Sequence, residues 1–180
     1  MITIIAGTNR KGSETAHFAK HLFDVLKKEA NEEVKYLDLQ DIPHDWFHAE
    51  MYAGDMQSAS LTKIQDDCIL PAQKFVFVIP EYNGGFPGVV KMFIDACSIR
   101  SYADNFKGKK AAIVGVAAGR AGNLRGMEHL TGVLNYLGTT VMPNRLPISS
   151  IGSLLDKDKN VKDEGTIKVM QEFVESVVKF

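Results

Sequence analysis

The sequence predicts an α/β protein built on a doubly wound, five-stranded, mostly parallel sheet in the order 2-1-3-4-5, with helices on both faces. Three observations carry this. Short apolar runs alternate with stretches of helical periodicity along the whole chain, the pattern of right-handed βαβ crossovers. The run Lys74-Phe75-Val76-Phe77-Val78-Ile79 is almost unbroken in its apolar character, as in a central strand covered on both faces. The loops after the first, third and fourth apolar runs are the ones of unusual composition, and the order 2-1-3-4-5 would gather those three beyond the carboxyl ends of the strands, where such sheets bind ligands.

The elements follow in order. Ile2-Thr3-Ile4-Ile5-Ala6 reads as the first strand, and Ala16, Phe18, Ala19, Leu22, Phe23, Leu26 and Ala30 then recur at helical spacing, giving a helix over about residues 13–30. Val34-Lys35-Tyr36-Leu37-Asp38-Leu39 is a second strand. Residues 40–57 form an irregular, aromatic-rich stretch containing Pro43, Trp46, Phe47 and Tyr52, and a loop of that length is usually functional or an interface. Helical spacing returns through Leu61, Ile64, Cys68 and Ile69 until Pro71. After the third strand, Phe86, Val89, Val90, Phe93, Ile94 and Cys97 fall on one helical stripe, followed by a polar connection over residues 100–110. Ala111 to Val116 supplies a fourth strand, Met127, Leu130, Val133, Leu134 and Leu137 a helix stopped at Gly138, and Thr139-Thr140-Val141-Met142 a short fifth strand ended by Pro143. Met170, Phe173, Val174, Val177 and Val178 mark a closing amphipathic helix.

A chain of 180 residues is expected to be one domain, residues 1–180, able to bury its core without disulfides. With 45% hydrophobic and 24% charged residues and a formal net charge of -1, it lacks the basic excess of a nucleic-acid binder and the strong acidity of an electron carrier that docks on basic partners. No apolar run approaches the ~18 residues of a membrane span, and no basic leader precedes the first strand, so the expectation is a cytoplasmic protein. Cys68 and Cys97 form no CxxC and sit in apolar helical patterns, which reads as two buried thiols.

The loop Gly7-Thr8-Asn9-Arg10-Lys11-Gly12-Ser13-Glu14-Thr15 gathers hydroxyls, a guanidinium and two glycines where a helix begins. Backbone N–H groups and the positive end of the helix dipole suit a phosphate there; the alternative is a polar connection capped by Ser13. Pro80-Glu81-Tyr82-Asn83-Gly84-Gly85-Phe86-Pro87-Gly88 follows the most buried strand, and its Asn-Gly-Gly run calls for positive φ or close backbone approach. Its amides and Tyr82 could border a planar heterocycle, or the segment is simply a tight turn.

These two stretches resemble the signatures of the NADPH-dependent FMN reductase family of flavodoxin-like proteins. The first is similar to G-S/T-x-R-x-x-S-x-N/T, and the second, extended through Val89-Val90-Lys91, to P-E-Y-N-x-S-x-P-G-x-L-K. The resemblance implies that Thr8, Arg10, Ser13 and Thr15 hold the phosphate of FMN, with Glu14 contributing its backbone N–H. It implies that Pro80, Glu81, Tyr82, Asn83 and Gly84 border the ring and ribityl chain, and that Ala118, Gly119 and Arg120 close the other side. It further implies NADPH or NADH as hydride donor and a free flavin, quinone, azo compound or chromate as acceptor, in a homodimer or homotetramer. No catalytic acid or base is nominated, because the cofactor carries the redox chemistry. Gly85 stands where the family commonly has Ser, Thr15 where Asn is commoner, and Met92 and Ala96 near positions often Asn and Trp. The competing reading is an FMN-binding electron carrier or redox sensor without a productive nicotinamide site.

Other signals are weaker. Asp156-Lys157-Asp158-Lys159-Asn160 imitates the start of a calcium loop, but Val161 and Ile167 stand where Gly and a bidentate Glu are needed. His44 and His48 have a metal pair's spacing without a helix to carry it, and no metal is expected. Residues 115–122 lack the G-x-G-x-x-G spacing of a dinucleotide fingerprint. Arg120 and Arg125 suit either the extra phosphate of NADPH or a solvated helix start. Trp46 and Phe47 suit either a lid on a neighbouring subunit's site or local packing.

Overall fold

A computed structural model of the chain describes residues 1–43, 45–53 and 56–180. Its elements are β1 (Ile2–Ala6), α1 (Glu14–Glu29), β2 (Val34–Asp38), α2 (Ala59–Ile64), β3 (Lys74–Pro80), α3 (Gly88–Ala96), α4 (Tyr102–Phe106), β4 (Lys110–Val116), α5 (Leu124–Tyr136), β5 (Thr140–Val141), β6 (Leu146–Ile148) and α6 (Glu164–Lys179). The strand order is β2-β1-β3-β4-β5, with β6 also pairing β4, and every pairing is parallel. The doubly wound arrangement expected from the alternating pattern is therefore present.

β1, β3 and β4 are apolar on both faces because both faces are covered. One layer holds Phe75, Phe77, Ile79, Val90, Phe93, Leu130 and Leu134. The other holds Ile2, Ile4, Phe18, Leu22, Leu26, Val76, Val114, Phe173 and Val177. Trp46, only 1% exposed, packs edge-on against Phe93 of α3 with ring centroids 6.1 Å apart. Of the two readings for that loop, Trp46 thus follows local packing, whereas Phe47 is exposed.

Several features depart from the sequence reading. The helix after residue 58 does not run on as an α-helix; it passes into a π-helical turn over Gln65–Ile69. There the buried Gln65 donates to Asn105 Oδ1 at 3.0 Å, and Asn105 in turn donates to the Cys97 carbonyl at 2.7 Å. The polar connection over residues 100–110 contains α4, anchored by that same Asn105. β6 was not foreseen: Val114, Gly115 and Val116 pair with Leu146, Pro147 and Ile148, and a three-residue strand centred on a proline leaves no periodicity to read. Gly138, at φ +79°, ends α5 as expected, with Gly138 N–H bonding Asn135 O and Thr139 N–H bonding Leu134 O.

Candidate functional site

Three strand ends meet. Parallel pairing places Ala6 beside Val78 and Pro80 beside Val116, so the exits of β1, β3 and β4 share one edge. Between them lies a cavity of about 390 Å³, lined by Arg10, Gly12, Ser13, Glu14, Thr15, Pro80, Glu81, Tyr82, Val116, Ala117, Ala118, Ile151 and Gly152. That volume is within the ~300–1,000 Å³ of small-molecule sites.

The β1 exit is held down by Gly7, whose N–H bonds Val78 O at 2.8 Å. A Cβ there would stand 2.8 Å from Ile79 Cγ2 and 2.9 Å from Val90 Cγ2, so only glycine lets the chain cross so close to β3 and α3. Gly12, at φ +67°, turns the chain into α1, its N–H bonding Gln40 Oε1 at 3.1 Å. Ser13 occupies the position before α1 but its side chain makes no capping bond. The capped-connection reading thus fails, and the first N–H groups of α1 and the Ser13 and Thr15 side chains face the cavity uncapped. Such a terminus is a ready anion site.

The β3 exit is a two-residue hairpin turn. Tyr82 and Gly85 exchange two 3.0 Å backbone bonds, with Asn83 at φ +53° and Gly84 at φ +76° between them, the geometry for which Asn-Gly is best suited. Glu81 N–H bonds Val116 O at 3.1 Å, tying this loop to β4. Tyr82 also reaches back to the β1 exit: its hydroxyl lies 2.8 Å from Thr8 Oγ1, which in addition accepts the Arg10 N–H at 3.2 Å. Thr8 is wholly buried, so its hydroxyl joins the two loops instead of facing the cavity.

The β4 exit is closely packed at three of its glycines. A Cβ on Gly115 would meet Gly122 O at 2.2 Å, one on Gly122 would meet Pro147 Cβ at 2.6 Å, and one on Gly126 would meet Asn123 Oδ1 at 2.1 Å. Asn123 is fully buried and donates to Ile79 O at 3.2 Å and Pro80 O at 2.8 Å. Sequence reasoning passed over Asn123, although an Asn directly before a helix is a signal in itself. It also passed over Ile151 and Gly152, which lie beyond the unforeseen β6.

Of the residues named from the sequence, Arg10, Ser13, Glu14, Thr15, Pro80, Glu81, Tyr82 and Ala118 line the cavity. Thr8, Asn83, Gly84, Gly119 and Arg120 lie on the same three loops outside its lining. The remaining signals stand apart. Asp156 Oδ1 accepts from Asp158 N and Asn160 N at 2.8 and 2.9 Å, closing a turn on itself. Among the described residues no group of three His, Cys, Asp or Glu could hold a metal ion, and the His44 half of the histidine pair lies outside those residues. Cys97 is buried and desolvation pushes its thiol pKa well up; Cys68 is half-buried and shifted the same way, again chiefly by desolvation.

The donor set suits a phosphorylated, flat ligand. The β1 exit supplies one arginine, two hydroxyls and an uncapped helix start, and the β3 and β4 exits supply Pro80, Tyr82 and backbone. Gly12 and Gly152 line the cavity with nothing within 4 Å of where a Cβ would project, so side chains there would fill the space that a ligand needs.

Residues 1–152 match the NADPH-dependent FMN reductase family. The chain belongs to that family. It is 29% identical over 175 residues to a 2-hydroxy-1,4-benzoquinone reductase of a Burkholderia species, covering 97% of this chain and 92% of that protein. It is 29% identical over 176 residues to an NAD(P)H-dependent FMN reductase of Pseudomonas aeruginosa, covering 96% and 90%. Among solved structures, the flavoenzyme NAD(P)H:(acceptor) oxidoreductase FerB from Paracoccus denitrificans superposes with a TM-score of 0.76 at 29% identity, over 99% of this chain and 94% of that one. The protein is an FMN-dependent NAD(P)H oxidoreductase with a flavodoxin-like fold. Among the described residues no helix is long and apolar enough to cross a membrane.

Proposed function

We propose that this enzyme binds FMN in the cavity at the ends of β1, β3 and β4 and reduces a small acceptor, such as a quinone, azo compound, chromate or free flavin, with NADPH or NADH. The observation that carries the placement is the junction of an uncapped α1 start, with Arg10, Ser13 and Thr15, to the Tyr82–Gly85 turn in one cavity. In this reading Arg10, the two hydroxyls and the N–H groups of Glu14 and Thr15 bind the phosphate by charge-assisted hydrogen bonds. Pro80, Glu81, Tyr82, Asn83 and Gly84 border the ring, and Ala118 and Gly119 face it from the β4 exit. Bound FMN supplies hydride acceptance and release. The protein orients the ring and admits donor and acceptor in turn, so no side chain is assigned a proton.

We further propose one FMN-binding unit over residues 1–180 in the cytoplasm, acting as a homodimer. A groove between α3 and α5, walled by Ile94, Val133, Leu137 and the exposed Tyr102 and Tyr136, supports a second copy as its occupant. It adjoins the flavin loop, since Phe86 packs at a tilt of 51° against His129 of α5, with ring centroids 4.8 Å apart. The test of the enzymatic reading is anaerobic mixing of FMN-loaded protein with NADPH or NADH. Bleaching of the flavin is expected; FMN uptake without bleaching would make the protein a carrier or sensor.

A further inference from the structure

The chain has five arginines, and their pairing divides them by place. Arg100 and Arg145 are bound by carboxylates, Asp66 and Glu128, each at 2.6 Å. Arg10, Arg120 and Arg125, which stand on the β1 and β4 exits, are exposed and have no ion pair among the described residues. Arg125 is the telling case. Glu128 lies one helical turn along α5, the natural i, i+3 partner for Arg125, yet it is taken by Arg145, which also donates to Thr131 at 3.2 Å. Arg125 instead lies over the β3 loop: its Nη1 stands 3.9 Å from where a Cβ on Gly84 would be. Its backbone is fixed, because the preceding Asn123 is clamped to Ile79 O and Pro80 O and Gly126 packs on Asn123.

Arg10 with Ser13, Thr15 and the α1 start is sufficient for one phosphate of charge roughly −1.5 to −2. Two unpaired guanidiniums then remain, Arg120 on the β4–α5 loop and Arg125 in the first turn of α5, in a protein whose net charge is -1. A guanidinium left without a carboxylate at the edge of a ligand site is suited to a second phosphate, which it can bind in fork geometry. We propose that Arg125, with Arg120 on the connection that leads into α5, binds a phosphate group of the nicotinamide dinucleotide donor. Arg120 then serves the donor, and not the flavin as the family resemblance implies. This rests on the NAD(P)H-driven reading above.

The experiment compares NADPH, NADH and 1-benzyl-1,4-dihydronicotinamide, a hydride donor without phosphates, in wild type, Arg125→Ala and Arg125→Lys. Calorimetry with 2′,5′-ADP and an FMN titration accompany the kinetics. Arg125→Ala is expected to lower kcat/KM for NADPH about tenfold or more relative to that for the benzyl compound, and to weaken 2′,5′-ADP binding to the same degree. FMN affinity should stay within twofold, and Arg125→Lys should recover part of the loss. A fall for NADPH alone assigns the 2′-phosphate, and an equal fall for NADH assigns the pyrophosphate; both support the site. An equal fall with the benzyl compound, or unchanged 2′,5′-ADP binding, overturns it. A wild type that oxidises no donor would refute the enzymatic reading alone, and the 2′,5′-ADP titration would still decide for or against the site.

Discussion

The hydrogen bond between Thr8 and Tyr82 joins the two halves of the proposed flavin site, and its removal should be felt in FMN affinity. At 2.8 Å, between a wholly buried hydroxyl and a phenol that lines the cavity, it is a neutral bond of about 0.5–1.5 kcal/mol net. Tyr82→Phe leaves Thr8 Oγ1 with the Arg10 N–H as remaining partner, so the loss should be about 1 kcal/mol. Thr8→Val removes the hydrogen-bond partner of both groups, but the Tyr82 hydroxyl can turn to water, which gives a similar figure. One kcal/mol corresponds to about a fivefold weaker Kd.

Because both substitutions break the same bond, the double variant should weaken FMN about fivefold and not the ~25-fold of independent sites. The assay is titration of apoprotein with FMN, followed by quenching of flavin fluorescence, in the four proteins of the cycle. Urea unfolding of each apoprotein separates loss of fold from loss of coupling. An additive double variant, or a Tyr82→Phe protein with wild-type affinity, would refute the claim that the phosphate loop and the ring loop act through this bond.

Other expectations are as direct. Arg10→Ala should raise the FMN Kd about ten- to a hundredfold, the range of a hydrogen bond to a charged group. The exposed Lys157→Ala serves as surface control, with less than a twofold effect expected. Gly126→Ala must push aside Asn123 Oδ1, 2.1 Å from the new methyl, and with it the bonds to Ile79 and Pro80. A loss above about 2 kcal/mol in urea unfolding is expected. Lys109 donates to Ile69 O at 2.7 Å and Leu70 O at 3.0 Å, and desolvation pulls its pKa down to about 8, partly opposed by Asp104. The folded protein thus releases this proton near pH 8 while the unfolded chain keeps it to about 10.5. Folded Lys109 costs stability below pH 8, and that cost is relieved as pH rises from 8 to 10.5. Relative to Lys109→Met, wild type should gain of order 1 kcal/mol across that window, read by urea midpoints; a flat difference would contradict the shift.

What could be read from the sequence was whatever repeats with the period of an element. The apolar run 74–79 named the central strand, the apolar stripes named the helices, and the strand order then required three particular loops to meet. What could not be read was the direction of side chains within those loops. Thr8 stands at a signature position that reads as a phosphate ligand, yet its hydroxyl turns to Tyr82, 74 residues away. Asn123 drew no reading at all, and its work is on carbonyls 43 and 44 residues earlier. Gly115 and Gly122 carry no local signal for their role, yet each is a glycine because another backbone or Pro147 occupies the place of its Cβ. In each case the deciding partner is set by packing of the finished sheet, so a local pattern identifies the residue type without its direction. The same logic separates the arginines. Nothing in the sequence near Arg125 says it lacks a partner, since Glu128 stands at the right spacing; only Arg145, brought alongside after β5, removes that partner and leaves the guanidinium to a ligand.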